Sequence, residues 1–336
     1  MANKFSLRRI GIGLAAWSAA LCAGSAIAQP TAATTPAYPA KPVRVVVPVT
    51  AGGLQDTIAR AITQELAKSW NQSIVVESRP GANGIIAADF VAKSAPDGYT
   101  ILMADSAPIT INPFLYRKLP YDPPKDLLPV LAIAQVAYLM VAHPQFAPNN
   151  LQEVFALART KPGEINYASY GLGSSNHLET EALANHAGVR FTHVPYKGGS
   201  DLMPALLSGQ IQFALLGVAP ALASIRQGRL KPVVYGGSRR STLLPDTQTM
   251  IEAGLAGYES RAWLGWFLPA GAPRPIAEKI AADAGRVIAQ PEFTGKYFLN
   301  SGMDLLNLQN DAFAEFVRND RAKNENRLKN IPLKMD

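Results

Sequence analysis

The period of the apolar positions changes several times along the chain, and each change marks an element. Residues 43–49 are a valine run interrupted only by Arg44 and Pro48, the pattern of a parallel strand buried on both faces. Gly52 and Gly53 break it. Ile58, Ile62, Leu66 and Trp70 then recur every four residues, which is one stripe of a helix. A strand at 74–76, a helix at 85–93 and a strand at 99–103 follow. This β-α-β-α-β order predicts a parallel sheet with helices on both faces. Residues 130–142 form a long apolar stretch that ends at His143-Pro144, read as the crossing from one domain to the next. A second α/β series has strands near 165–169, 191–194, 211–216 and 230–236, and helices near 151–159, 175–186, 201–207 and 219–227. The chain then passes Leu244-Pro245-Asp246, returns as a strand near 262–268, and closes with helices at 276–288 and 311–328. The expected fold class is α/β, with two doubly wound sheets and a ligand cleft between the domains. One domain comprises residues 42–137 with 250–336, the other residues 138–249.

Composition narrows the class. Apolar residues make up 48% of the 336 residues and charged residues 17%, so the chain can build cores. Its formal charge is +7, of which Lys4, Arg8 and Arg9 supply three in an acid-free N-terminal stretch. The remaining excess is mild, and no basic block interleaved with aromatics suggests nucleic-acid binding. After these cations come an apolar run at 10–23 and the small-x-small triplet Ala26-Ile27-Ala28 before Gln29, the layout of a cleaved export signal. The run is shorter than the about 20 residues a membrane span needs. Export to the periplasm with cleavage after Ala28 is expected, followed by a flexible leader at 29–41 rich in Ala, Thr and Pro. The only cysteine, Cys22, falls inside the signal, so the mature chain has neither disulfides nor a thiol nucleophile.

Several strings then become recognisable together. Tyr38-Pro39-Ala40-Lys41-Pro42-Val43-Arg44, Pro48-Val49-Thr50-Ala51-Gly52-Gly53-Leu54-Gln55-Asp56, Glu77-Ser78-Arg79-Pro80-Gly81-Ala82-Asn83-Gly84 and Pro96-Asp97-Gly98-Tyr99-Thr100 appear in that order. Asn112-Pro113, Leu119-Pro120-Tyr121-Asp122, Asn166-Tyr167-Ala168-Ser169, His193-Val194-Pro195-Tyr196-Lys197-Gly198 and Pro269-Ala270-Gly271 follow. In order and spacing they resemble the Bug family, the solute-binding proteins of tripartite tricarboxylate transporters, over nearly all of the mature chain. The resemblance implies a two-lobed, type II periplasmic-binding-protein fold that closes on a small carboxylate. It also implies membrane transporter subunits as partners and no cofactor, and a monomer is expected. A sensory protein that presents its ligand to a membrane receptor uses the same closure and is the alternative.

Two glycine-bearing loops carry the expected chemistry. Gly52-Gly53 lies between a strand and a helix, where the backbone can turn sharply and the first helical N–H groups are unpaired, so an anion is a natural guest. Asp56, in the first turn, is read as a cap rather than a ligand contact, because an acid repels an anion. Ser169-Tyr170-Gly171-Leu172-Gly173-Ser174-Ser175-Asn176-His177 repeats this layout in the second series. Two such ends gripping one carboxylate give closure a cause. What the resemblance implies for ligand contacts carries over to Thr50, Gly53, Leu54, Gln55, Ser169, Gly173, Ser174 and His177. Gly52, Ser106, Tyr170 and Tyr196 join them from their places after strands. N-capping is the bland reading of Ser174, and packing against the loop that of His177. Leu215-Leu216-Gly217 stands where many family members carry an acid that holds a ligand ammonium. With Leu216 at this wall a ligand without an amine is expected; an aromatic carboxylate of the phthalate type and an aliphatic dicarboxylate both stay open.

Enzymatic readings find little footing. Gly171-Leu172-Gly173-Ser174-Ser175-Asn176 lacks the third glycine of a dinucleotide turn, and no Gly-x-Ser-x-Gly elbow occurs. Ser174 and His177 sit three residues apart with no third partner. His177 and His186, nine residues apart on one helix, point to opposite faces, so no metal site is expected.

Overall fold

The computed structural model describes residues 38–329; the predicted signal at 1–28 and leader residues 29–37 lie outside them. Ten strands run in chain order: β1 Val43–Val47, β2 Ile74–Ser78, β3 Thr100–Asp105, β4 Leu127–Ala142, β5 Asn166–Ser169, β6 Thr192–Pro195, β7 Phe213–Gly217, β8 Lys231–Tyr235, β9 Arg261–Pro269 and β10 Met303–Gln309. They form one mixed sheet in the order β2-β1-β3-β9-β4-β7-β5-β6, with β8 and β10 also paired to β4. β1, β2 and β3 pair in parallel, as do β5, β6 and β7, so both predicted β-α-β series are present. The link between them is the apolar stretch read as a crossing: β4 is a 16-residue strand that belongs to both sets. It pairs with β9 up to Ala137 and with β7 from Tyr138 onward.

Periodicity explains the packing. β1 buries every residue but Arg44, and the first helix, Leu54–Trp70, turns Ile58, Ile62 and Leu66 inward. Each such fully buried side chain contributes roughly 1.5–3 kcal/mol. Asn71, in the left-handed region at φ 48°, ends that helix. In the second set Tyr167, Phe213 and Phe191 pack ring against ring with centroids 5.0–6.3 Å apart. Their cluster includes Met140 and Tyr138 of β4.

One junction is unusually tight. Where β4 changes partners, the Tyr138 N–H donates to Ser260 O, the Gly236 N–H donates to Tyr138 O, and the Ser260 N–H donates to Gly236 O. A Cβ on Gly236 would lie 2.5 Å from the Ser260 carbonyl oxygen and 3.0 Å from that of Tyr138, both backbone atoms that cannot swing away. Gly236→Ala is expected to cost about 1–3 kcal/mol, read as a lower urea midpoint at unchanged m-value. A variant as stable as the parent would show that this junction yields freely.

Candidate functional site

The first loop does not offer its glycine N–H groups outward. The Gly53 N–H donates to Thr50 O at 3.2 Å, and the Gly52 N–H donates to Asp56 Oδ2 at 2.9 Å. Asp56 is buried and also binds Arg60, whose guanidinium, with help from the Gly52 N–H, holds the carboxyl below its usual range. These bonds fix the turn, in which Gly52 takes φ 83°. The donors left for a guest come from the helix that follows. Gly53 is its N-cap residue and supplies no side-chain cap, and the first N–H to bond back into the helix is that of Thr57. Thr50 and Leu54 are exposed and Gln55 is buried.

The second loop is braced from behind by imidazoles. The His177 Nδ1 accepts the Gly173 N–H at 2.9 Å, and its ring stacks on His193 at 3.8 Å. Ser169 Oγ sits 2.6 Å from His193 Nε2 and accepts the Gly171 N–H at 3.1 Å. Burial, with the neighbouring His193, lowers the His177 pKa to about 3, and burial lowers that of His193 to about 4. Both rings are therefore neutral at ordinary pH. Ser169 is fully enclosed and His177 is 2% exposed, so these two residues hold the loop's shape rather than reach its surface. Ser174 is the N-cap residue of helix Ser175–Ala187, but its hydroxyl turns to Gly171 O and Asn176 Oδ1. This helix too begins without a side-chain cap. Asn176, part of the loop string but not an expected contact, accepts the Tyr170 N–H and donates to Leu215 O, tying the loop to β7.

Between the two helix starts lie Gln55, an expected contact, and three residues that the loop motifs do not single out, Asp105, Tyr138 and Ser175. Gln55 donates its side-chain N–H to Asp105, the last residue of β3, beside Ser106. Tyr138, at the point where β4 changes partners, is buried with the Ser175 side chain beside it. Burial raises its hydroxyl pKa, and the Glu179 and Asp105 carboxylates raise it further. Gln55 with Asp105, and Tyr138 with Ser175, thus form two polar pairs, one at each helix start, near enough for the Asp105 charge to act on the Tyr138 hydroxyl; together they are the floor of the site. On the outer side Asn83 Nδ2 reaches across to Leu172 O at 2.9 Å. Asn83 holds φ 50°, a conformation asparagine tolerates better than most residues. Tyr170 acts on the Tyr138 hydroxyl; the residue is 37% exposed, and burial raises its own hydroxyl to about 12. Leu54 and Leu172 are exposed nearby. A cavity of about 240 Å³ takes in Ser175 of this floor and Ser106 beside it but extends away, beneath the C-terminal helix, past Trp263, Asp320 and Arg327.

The two remaining expected residues pack on the second core. Leu216 is fully buried among Leu139, Val141 and Leu206 in the second core, because its place in β7 points it into the helix-covered face. It therefore cannot form the wall assigned to it; Gly217, the next residue, is the one that reaches the surface. Tyr196 is half-buried and packs on the same core, while its backbone N–H donates to Ser169 O.

Comparison with known proteins gives this geometry a context. The sequence profile of the tripartite tricarboxylate transporter family receptor matches residues 58–333. Among solved structures, one from R. palustris with adipate is 30% identical at a TM-score of 0.80, over 87% of this chain and 97% of that one. MatC from Rhodopseudomonas palustris with bound malate is 32% identical at 0.77, over 87% and 100%. The periplasmic binding protein BugD is 29% identical at 0.79, over 89% and 100%.

Proposed function

The chain belongs to the tripartite tricarboxylate transporter receptor family, and from that premise we propose that it is a periplasmic solute-binding protein, not an enzyme. It captures a small carboxylate between residues 42–137 with 250–336 on one side and 138–249 on the other, and delivers it to the membrane subunits of a tripartite transporter. The observation that carries this reading is the pair of uncapped helix starts, Leu54–Trp70 and Ser175–Ala187, joined by one polar floor. Unpaired N–H groups and two helix dipoles favour a negative headgroup at such a place. The change of partners along β4 between Ala137 and Tyr138 supports a hinge there. Exposed Leu54, Tyr170 and Leu172 suit an apolar ligand body between or beside the charged ends. That two relatives were solved with adipate and malate favours a dicarboxylate.

A thermal-shift screen of the mature chain tests this. Aliphatic diacids, aromatic diacids, amino acids and sugars are compared at equal concentration. A ligand at a hundred times its Kd stabilises the native state by about 2.7 kcal/mol. One or more diacids are expected to give the largest upward shift in Tm. A sugar or an amino acid in first place, or no shift from any acid, overturns the reading.

A further inference from the structure

We propose that Asp105 is a proton-accepting group of the ligand site, so that capture of a carboxylate there takes up one proton from solution and tightens as the pH falls. This rests on the carboxylate reading above and adds the form in which the site takes its guest. The argument begins with hydrogen-bond accounting at the floor. Asp105 Oδ1 accepts the Ala107 N–H at 3.0 Å, and the carboxylate also receives the Gln55 side-chain N–H. The other end of that amide, Gln55 Oε1, is buried and without a partner. A carboxylate and an orphan amide oxygen are both acceptors, and an ionised ligand carboxylate brings only more acceptors. The helix N–H groups satisfy the guest's outer oxygen, but between its inner oxygen and these two acceptors the set closes only if a proton is added, as when two carboxylates share a site.

Nothing nearby neutralises Asp105 in another way. On helix Leu54–Trp70 the neighbour is uncharged Gln55, and Arg60 is committed to Asp56. From β4 comes the Tyr138 hydroxyl, and Tyr121 also feels the Asp105 charge while donating to Pro108 O. On β9 the register partner is apolar Leu264. Glu179 and Tyr170 act from the second set through Tyr138, and Arg327 is committed to Glu179. Among the described residues, no cation is a cause of the Asp105 shift. Asp105 is enclosed by protein but not sealed, since part of its surface still meets solvent, so a proton can reach it. Burial already raises its pKa to about 6 in the empty site, and an arriving anion raises it further. The sign follows: a group protonated on binding gives full affinity below its unbound pKa and loses it as pH climbs toward the bound value. No covalent bond of the ligand changes; a proton leaves the buffer and joins a carboxylate oxygen.

The test is titration calorimetry with adipate, malate and phthalate at about pH 6.5 and about pH 8, in two buffers of different ionisation heat. The probes' own carboxyls stay ionised across this range. The acid that binds best is expected to bind about twentyfold more weakly at the higher pH, with close to one proton taken up per ligand near pH 8. Asp105→Asn is isosteric and neutral, and should flatten the pH dependence to within about twofold while keeping the tighter affinity. Wild-type affinity that is flat with pH, or no proton uptake, overturns the proposal and leaves carboxylate binding standing. An Asn variant weaker at both pH values also overturns it, and makes Asp105 an anionic partner for a ligand hydroxyl or ammonium. If none of the three acids binds and the thermal screen finds no other, the carboxylate reading falls and Asp105 with it.

Discussion

Replacing Arg327 by methionine is expected to lower the free energy of unfolding by about 3–5 kcal/mol, the usual cost of leaving one charge of a buried pair alone. The guanidinium donates through Nη1 and Nη2 to the two oxygens of Glu179 at 2.6 and 2.7 Å, and Nη2 also reaches the Tyr258 hydroxyl at 3.0 Å. Both side chains are largely withdrawn from water, 18% and 9% exposed, so screening does little to weaken the pair. Ser260 Oγ donates to the same carboxylate at 2.6 Å. The pair ties the end of helix Asn310–Leu328 to helix Ser175–Ala187, 148 residues away in sequence. Glu179 stands one turn beyond Ser175 on the same helix face, so the charge stranded by the substitution would lie directly under the floor of the candidate site. Urea unfolding of Arg327→Met, Glu179→Gln and the double variant measures the coupling. The double variant should recover part of the loss, because glutamine removes the stranded charge. A single variant that loses less than about 1 kcal/mol would put this pair among solvated surface bridges.

The parts of the molecule that were legible in the sequence are those with one dominant period. Valines in β1 and the Ile58–Ile62–Leu66 stripe can be satisfied in only one way, and the strand and helix are where the pattern puts them. β10 was invisible for the opposite reason: Asn307, at φ 49°, interrupts its alternation, and the register with β4 jumps between Leu305 and Leu308. The loops were found through their glycines, but the work of individual residues inside them was not. Which hydroxyl braces and which presents depends on long-range partners such as His193 behind Ser169, and such partners leave no local trace. Asp105 stood next to Ser106 in plain view. No motif marks it, and the sequence weighs an acid only at Asp56, as a cap that would repel an anion, although a buried carboxylate can change its charge instead. Leu216 is no wall residue because β7 is buried on both faces: Leu215 enters one core and Leu216 the other, and neither phase of the strand is open to a ligand.

Gly53→Asp separates binding from folding in one substitution. Gly53 has φ −67° and ψ 165°, an extended conformation open to any residue. A Cβ there meets only Thr50 O at 3.2 Å and the Val49 side chain at 3.3 Å, contacts relieved by a shift of a few tenths of an ångström. The position is an N-cap without a capping side chain, and aspartate is among the best residues at such a place, gaining a few tenths of a kcal/mol over glycine. Stability is therefore expected to hold or rise slightly. Affinity is expected to fall by about 100-fold or more, since two like charges about 5 Å apart at an effective dielectric near 20 repel by about 3 kcal/mol. Gly53→Asn caps the helix without the charge; because its side chain competes for the same N–H groups, at about 1 kcal/mol, affinity should fall by about fivefold, well short of the aspartate variant. Calorimetry with the acid ranked first in the thermal screen, beside urea unfolding of all three proteins, reads both quantities. If the aspartate variant binds as tightly as the parent, no anion sits at this helix start; if the asparagine variant loses as much as the aspartate one, the loss is steric and the charge argument fails.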